Sequence, residues 1–305
     1  MPNKEDILTE WFARQSQAPK SRFPIGIGDD MAQVRLGGDE SVLITTDMLL
    51  DGTHFDLSTA TMERVGIKAM NCSLSDCAAM ATIPVCAVVA VALPKGFGSA
   101  KLKRLHKGLV KAGRKFDCPL IGGDITAWTD KSSRFAVNVT MLSRPAPGIE
   151  PVRRNGAKVG DLICVTGTLG GSLRRKHLSF TPRVHEALTI ATAAKIHAMM
   201  DITDGLSTDL NRMCKQSDVG AVLDARWIPL SSDAKRTAHP LASALHDGED
   251  FELLFALHSR DFSRIRDLPG IRISCVGIFT EGKYLNIRGI DGRIRRLKPG
   301  GYDHL

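Results

Sequence analysis

Between Ser143 and Asp161 the chain reads SRPAPGIEPVRRNGAKVGD, three prolines and three glycines in nineteen residues. Proline fixes φ and removes a donor, glycine frees φ, and a run this dense in both ends regular structure on either side. Two units are therefore expected, residues 1–145 and 146–305. Upstream, SVLITTD (Ser41 to Asp47), VCAVVAVAL (Val85 to Leu93) and RFAVNVTML (Arg134 to Leu142) have the apolar, β-branched character of strands. Between them TMERVGIKAMNCSLSDCAAMA (Thr61 to Ala81) and the basic stretch Lys101 to Phe116 repeat apolar residues near helical spacing. Downstream come a strand DLICVTG, helices at Arg183 to Met199 and Leu206 to Gln216, and strands FELLFALH and IRISCVGIF. Both halves mix helix and strand, so the class is α/β or α+β in two domains.

Composition narrows the function. With 305 residues, 43% of them hydrophobic, there is material for two ordinary cores. The first twenty residues lack the apolar run of a signal peptide, and the longest apolar run, Val85 to Leu93, is far too short to cross a bilayer. A cytoplasmic protein with no membrane partner is expected. The seven cysteines are scattered with no Cys-x-x-Cys pair, which suits free thiols in a reducing compartment better than a zinc site. The net charge of +8 is concentrated at Lys101 to Lys115, Arg174 to His177 and Arg293 to Lys298. Aromatic residues make up only 5% and none interleave with these runs as base-stacking platforms would. Solvated basic faces are favoured over a nucleic-acid site, and a basic protein also draws small anionic substrates.

Against that positive balance the acids crowd together. GIGDDMAQVRL (Gly26 to Leu36) sets two aspartates side by side, and the same pattern of a carboxylate beside Gly, Ser or Thr returns in TTD (Thr45 to Asp47), LSDCAAM (Leu74 to Met80), IGGDIT (Ile121 to Thr126), MMDITDGLSTDL (Met199 to Leu210) and HDGEDFELL (His246 to Leu254). Any one of these aspartates also fits a helix cap or a turn. As a set they are expected at strand ends and helix starts along one sheet edge, where ligands of open α/β sheets sit. Converging carboxylate and hydroxyl oxygens repel unless cations lie among them, and oxygen donors favour Mg²⁺ or Ca²⁺. Mg²⁺ held by few carboxylates is completed by substrate phosphates, pointing to nucleotide chemistry. No P-loop, protein-kinase signature, dinucleotide fingerprint or Gly-x-Ser-x-Gly elbow occurs, so metals and glycine-loop amides would replace the P-loop lysine. His54 follows TTDMLLDGT closely enough to lie near the metals, as a structural or a substrate-contacting residue.

In order and spacing, GIGDDMAQV, LITTDMLLDGTHF, GIKAMNCSLSDCAAMATIP, IGGDIT, RRNGAKVGDLICVTGTLGGS, MDITDGLSTDL, DGEDFELLF and the terminal GYDHL resemble the thiamine-monophosphate kinase family, of the aminoimidazole ribonucleotide synthetase superfamily, from about residue 22 onward. The resemblance implies that superfamily's two-domain architecture, a homodimer paired through the N-terminal domains, and transfer of the γ-phosphoryl of ATP to thiamine monophosphate with several Mg²⁺ ions. It also implies site residues. Asp30, Thr45, Thr46, Asp47, Asp76, Asp124, Asp201 and Asp204 match metal ligands, with Asp47, Asp124 and Asp204 catalytic. Gly122, Gly123, Asp124, Arg154 and Thr203 match ATP contacts; His54, Glu249 or Asp250, and Tyr302 match contacts to the thiamine moiety. The acceptor is then an ionised phosphate oxygen, which needs alignment and charge neutralisation rather than a strong base. This chain departs from the family pattern at Ile125, at His106, in the HDGED stretch and in the short basic segment LRRKHLSFTPRV (Leu173 to Val184). The alternatives are another ATP-dependent enzyme of the superfamily and a non-catalytic nucleotide-binding relative.

Overall fold

The computed structural model describes residues 4–16, 18–130 and 132–302, and consists of two sheets joined through one helix. After helix α1 (Lys4–Gln15) the chain forms β1 (Ala32–Gly37), β2 (Glu40–Leu50), α2 (Met62–Ala79), β3 (Thr82–Leu93), α3 (Ser99–Gly113), β4 (Leu120–Ala127) and β5 (Ala136–Pro145). These strands make a sheet in the order β1-β2-β5-β3-β4, antiparallel except for β3 with β4. The second part adds β6 (Leu162–Thr166), α4 (Val184–Ala193), β7 (Ile196–Asp201), α5 (Leu206–Ser217), β8 (Gly220–Asp224), α6 (Pro240–His246), β9 (Leu253–Leu257), β10 (Ile273–Thr280), β11 (Leu285–Arg288) and β12 (Ile294–Arg296). Its sheet runs β12-β11-β8-β10-β6-β9-β7. The proline and glycine segment lies between Pro145 and Leu162, where the first sheet ends and the second begins.

Alternation along the strands sorts the cores. In β6 and β9, Cys164 and Phe255 face α2 and α4, whereas Ile163, Val165, Leu254 and Ala256 face α5 and α6. Both faces of these strands are covered, which is why they read as continuous apolar runs. Helix α2 is buried along most of its length because it serves both halves, packing on the first sheet, on α3 and α4, and near β7. Thr61 caps its start by accepting from the Arg64 N–H.

Two expectations are corrected. The helix foreseen from Arg183 to Met199 stops at Ala193, and the chain enters β7, which pairs with β9 in register Met199 to Phe255. An apolar run there satisfies sheet pairing as well as a helical period, and pairing wins. The acids, moreover, are not all at element ends. Asp47 lies within β2, Asp76 within α2 and Asp124 within β4, the last in a stretch that reads as a turn. Period-2 alternation, not chain termination, aims them.

The face of the first sheet turned away from α2 is open. Paired residues share a face, so Thr46, Thr140, Val88 and Gly122 form one row across it and Met48, Asn138, Ala90 and Asp124 the next. Ile44, Met48, Leu50 and Val88 are exposed there, Met48 by 61%.

Candidate active site

A cavity of about 730 Å³ lies where α2, β2, β7, the loops around Asp30 and Asp204, and α1 converge. Three carboxylates meet in its wall. Asp30 precedes β1, Asp76 comes from α2 and Asp201 ends β7, and each offers an oxygen within 4.8 Å of the others. They are held by neighbours rather than left to diverge. The Thr45 hydroxyl donates to Asp76, Ser75 donates to Asp201 at 2.5 Å, and Ser73 donates to Asp47 at 2.5 Å. Arg154 grips Asp30 with Nη2 at 2.6 Å and Nε at 3.1 Å, while its backbone N–H and the Arg153 guanidinium bind Asp29.

The electrostatics are those of an anion cluster short of cations. Burial pushes the Asp47 carboxyl up to about 6, with Ser73 opposing and Asp30 adding to the rise. Burial and then Asp30 push Asp201 up to about 7. Asp76 is held well above the usual carboxylate range by burial and then by Asp47, Asp201 and Asp30. Arg154 answers only one corner of this group. Oxygen donors alone, crowded, buried and with raised proton affinity, are the donor set that hard divalent cations such as Mg²⁺ relieve.

Next to the cluster, Asp204 is held by Arg212, whose guanidinium also binds Asp209 at 3.1 Å and Asp6 of α1 at 3.0 Å. Asp209 accepts from the N–H groups of Thr203 and Asp204, each at 3.0 Å, which fixes the loop before α5. Lys215 adds a second grip on Asp6 at 2.9 Å, so α1 closes one side of the cavity through ion pairs. His54, Glu249, Phe251 and Tyr302 also line the wall, with the Tyr302 N–H donating to the Asp204 carbonyl oxygen at 3.2 Å. Glu249 and Phe251 both have left-handed φ, near +50°, and are tied down because their N–H groups donate to Thr203 and Ile202. Such conformations cost about 1–3 kcal/mol each and persist where surrounding bonds over-determine them. Phe180, from the short basic segment, stacks on Phe251 with ring centroids 3.8 Å apart.

Of the residues expected at the site, Asp30, Thr45, Thr46, Asp47, Asp76, Asp201, Asp204, Arg154, Thr203, His54, Glu249 and Tyr302 all border the cavity. Gly122, Gly123 and Asp124 do not. They lie exposed on β4, and Asp124 is on the opposite face of the sheet from Asp47. Asp250 turns away as well, its carboxylate buried against the Gly170 N–H, where burial raises it to about 7. His106 is exposed on α3, outside the cavity wall.

Residues that did not stand out in the sequence are Lys68, Ser73, Ser75, Asp209, Arg212 and helix α1. A signal was present for part of this set. Lys68, Cys72, Ser75 and Asp76 fall at positions i, i+4, i+7 and i+8, a polar stripe on an otherwise buried helix.

Comparison with known proteins agrees with this geometry. Residues 28–144 match the family model "AIR synthase related protein, N-terminal domain", and residues 158–285 match its C-terminal domain counterpart. Over 99% of its length the chain is 33% identical to the thiamine-monophosphate kinase of Rhodopirellula baltica, covering 97% of that protein. The chain belongs to the thiamine-monophosphate kinase family. It is 31% identical to the thiamine-monophosphate kinase of Escherichia coli, over 98% of this chain and 97% of that one. Among solved structures, AaThiL complexed with AMPPCP and TMP superposes with a TM-score of 0.84 at 28% identity, covering 100% of this chain and 99% of that chain. The two-domain architecture of the aminoimidazole ribonucleotide synthetase superfamily is thus the fold of this chain.

Proposed function

We propose that this protein transfers the γ-phosphoryl group of ATP to the phosphate of thiamine monophosphate, giving thiamine diphosphate and ADP by direct in-line displacement. The observation that carries this is the cavity itself, with three acids within 4.8 Å of one another in a chain similar along its whole length to a structure holding an ATP analogue and TMP. Two polyanions can approach only where charge is neutralised. Asp30, Asp47, Asp76, Asp201 and Asp204, with the Thr45 hydroxyl, would hold several Mg²⁺ ions, whereas the Thr46 hydroxyl lies on the open face, bonded to Asn138 and Thr140. When bound, Mg²⁺ supplies charge neutralisation and alignment of the phosphates. Arg154 and the loop at Thr203 serve the nucleotide side, and His54, Glu249 and Tyr302 serve the thiamine side. The acceptor oxygen is already ionised, so no side chain has to remove a proton from it, and the work of the protein is orientation and exclusion of water.

Residues 1–145 act as the metal-binding and pairing unit, and residues 146–305 complete the cavity. A second copy seated on the open face of the first sheet gives that face its use. Thr46 and Asp124 share it but stand three strand spacings apart, about 14 Å. Asp124 therefore joins a metal site only through such pairing. Among the described residues no helix is long and apolar enough to cross a membrane. The ATP requirement and the free cysteines among the described residues support a cytoplasmic setting.

The test is formation of thiamine diphosphate by purified protein with ATP and Mg²⁺, offering thiamine monophosphate and, separately, unphosphorylated thiamine, with EDTA as control. Metal-dependent product from the monophosphate alone is expected. Product from thiamine alone, or none with ATP still bound, rejects the assignment.

A further inference from the structure

Lys68 is fully buried in the middle of α2, outside the cavity wall, and all three of its N–H donors are used. Nζ donates to Glu249 Oε1 at 2.6 Å, to Glu249 Oε2 at 2.8 Å and to the His54 carbonyl oxygen at 2.6 Å. One ammonium group thus joins three distant stretches of chain: a helix of the first part, the turn after β2, and the loop before β9. Both residues it holds face the cavity. A buried lysine needs a compensating charge, and here the compensation is spent on a carboxylate that remains partly open, its side chain 20% exposed. Lys68 takes one lone pair from each Glu249 oxygen, and a carboxylate offers about four acceptor sites, so others remain toward the cavity.

Resting on the function proposed above, we infer that Lys68 is a positioning residue for the acceptor. It locks the Glu249 carboxylate and the His54 turn into one wall and aims the carboxylate's remaining lone pairs at the amino group of an aminopyrimidine. It also balances the charge of this wall.

The experiment compares the full-length protein with Lys68→Met, Glu249→Gln and the double variant, measuring KM for thiamine monophosphate and for ATP, thermal midpoints, and thiamine monophosphate binding by calorimetry. Lys68→Met is expected to raise KM for thiamine monophosphate about tenfold or more, as loss of a charged hydrogen bond does, with KM for ATP within about twofold. It strands a partly buried carboxylate without its partner and lowers the thermal midpoint; the neutral double variant recovers the midpoint and keeps the raised KM. A wild-type KM for thiamine monophosphate in either variant carrying Lys68→Met, or equal losses toward both substrates, overturns the inference. If the wild type binds thiamine monophosphate but does not turn it over, the function falls, and equal calorimetric affinities for wild type and Lys68→Met overturn the role of Lys68 separately. If the wild type does not bind thiamine monophosphate, both fall.

Discussion

Asp47, Asp76 and Asp201 show how a site can oppose its own fold. Each is an acid whose proton affinity is raised, chiefly by burial. In the unfolded chain these groups titrate near the ordinary value of about 4. Between that pH and 7 the folded state holds more protons than the unfolded one, so stability falls as pH rises. In EDTA the thermal midpoint is expected to drop from pH 5 to pH 8, levelling off above the folded values of about 6 for Asp47 and about 7 for Asp201. Asp201→Asn flattens that slope, and Mg²⁺ reduces it by binding the ionised acids of the folded chain. A midpoint that rises over this range would contradict the burial of the cluster. Asp47→Asn is expected to abolish thiamine diphosphate formation while leaving the midpoint in EDTA unchanged or higher, because it removes a charge that burial disfavours. Near-normal turnover in Asp47→Asn would remove this aspartate from the machinery.

Helix α2 delivers Lys68, Ser73, Ser75 and Asp76, so its placement governs the site. It meets α3 backbone to backbone. A Cβ at Gly66 would stand 2.3 Å from the Leu105 carbonyl oxygen, and one at Gly108 would stand 2.0 Å from that of Glu63. Neither obstacle is a side chain that can swing aside. Gly66→Ala is expected to lower stability by roughly 1–3 kcal/mol through overpacking, and to cost activity as well because Asp76 rides on the same helix. A melting curve and the turnover assay together check this, and an unchanged midpoint would mean the helices are less closely set than described. The elements were unequally legible in the sequence. Helix α2 was, because its apolar period runs over eighteen residues. Strand β7 was not, because Ile196 to Asp201 is too short to separate a buried strand from the end of α4. Strand β4 was hidden by its glycines, which imitate a turn, although Gly123 sits where a Cβ would meet the Val89 carbonyl oxygen at 2.0 Å.

The open face of the first sheet binds these levels together. Ile44, Met48, Leu50 and Val88 lie on it beside Thr46 and Asp124, an apolar surface carrying two residues that match metal ligands of the family. Met48→Glu places a charge in its middle. With a second copy seated there, the variant is expected to run as a monomer in sedimentation or size exclusion and to lose turnover together with Asp124→Asn. Full activity as a monomer would confine the site to one chain and leave Asp124 without a metal role.

What the sequence determined by itself was local and periodic. A dense run of proline and glycine marked where the first sheet ends, apolar periods placed α2, α3, β2 and β5, and the pattern of acids beside Gly, Ser and Thr pointed to Asp30, Asp47, Asp76, Asp201 and Asp204, which border the cavity. The tertiary structure alone decided which side each acid faces. Asp47 and Thr46 are neighbours in sequence yet lie on opposite faces of β2, and Glu249 and Asp250 likewise diverge, one to the cavity wall and one to the Gly170 N–H. Lys68 acquires its role only because residues fourteen and 181 positions away are brought to its ammonium group. Local sequence encodes period and turn chemistry. Partners for a buried charge are chosen by packing across the chain, where desolvation makes an unpaired group too unfavourable to keep.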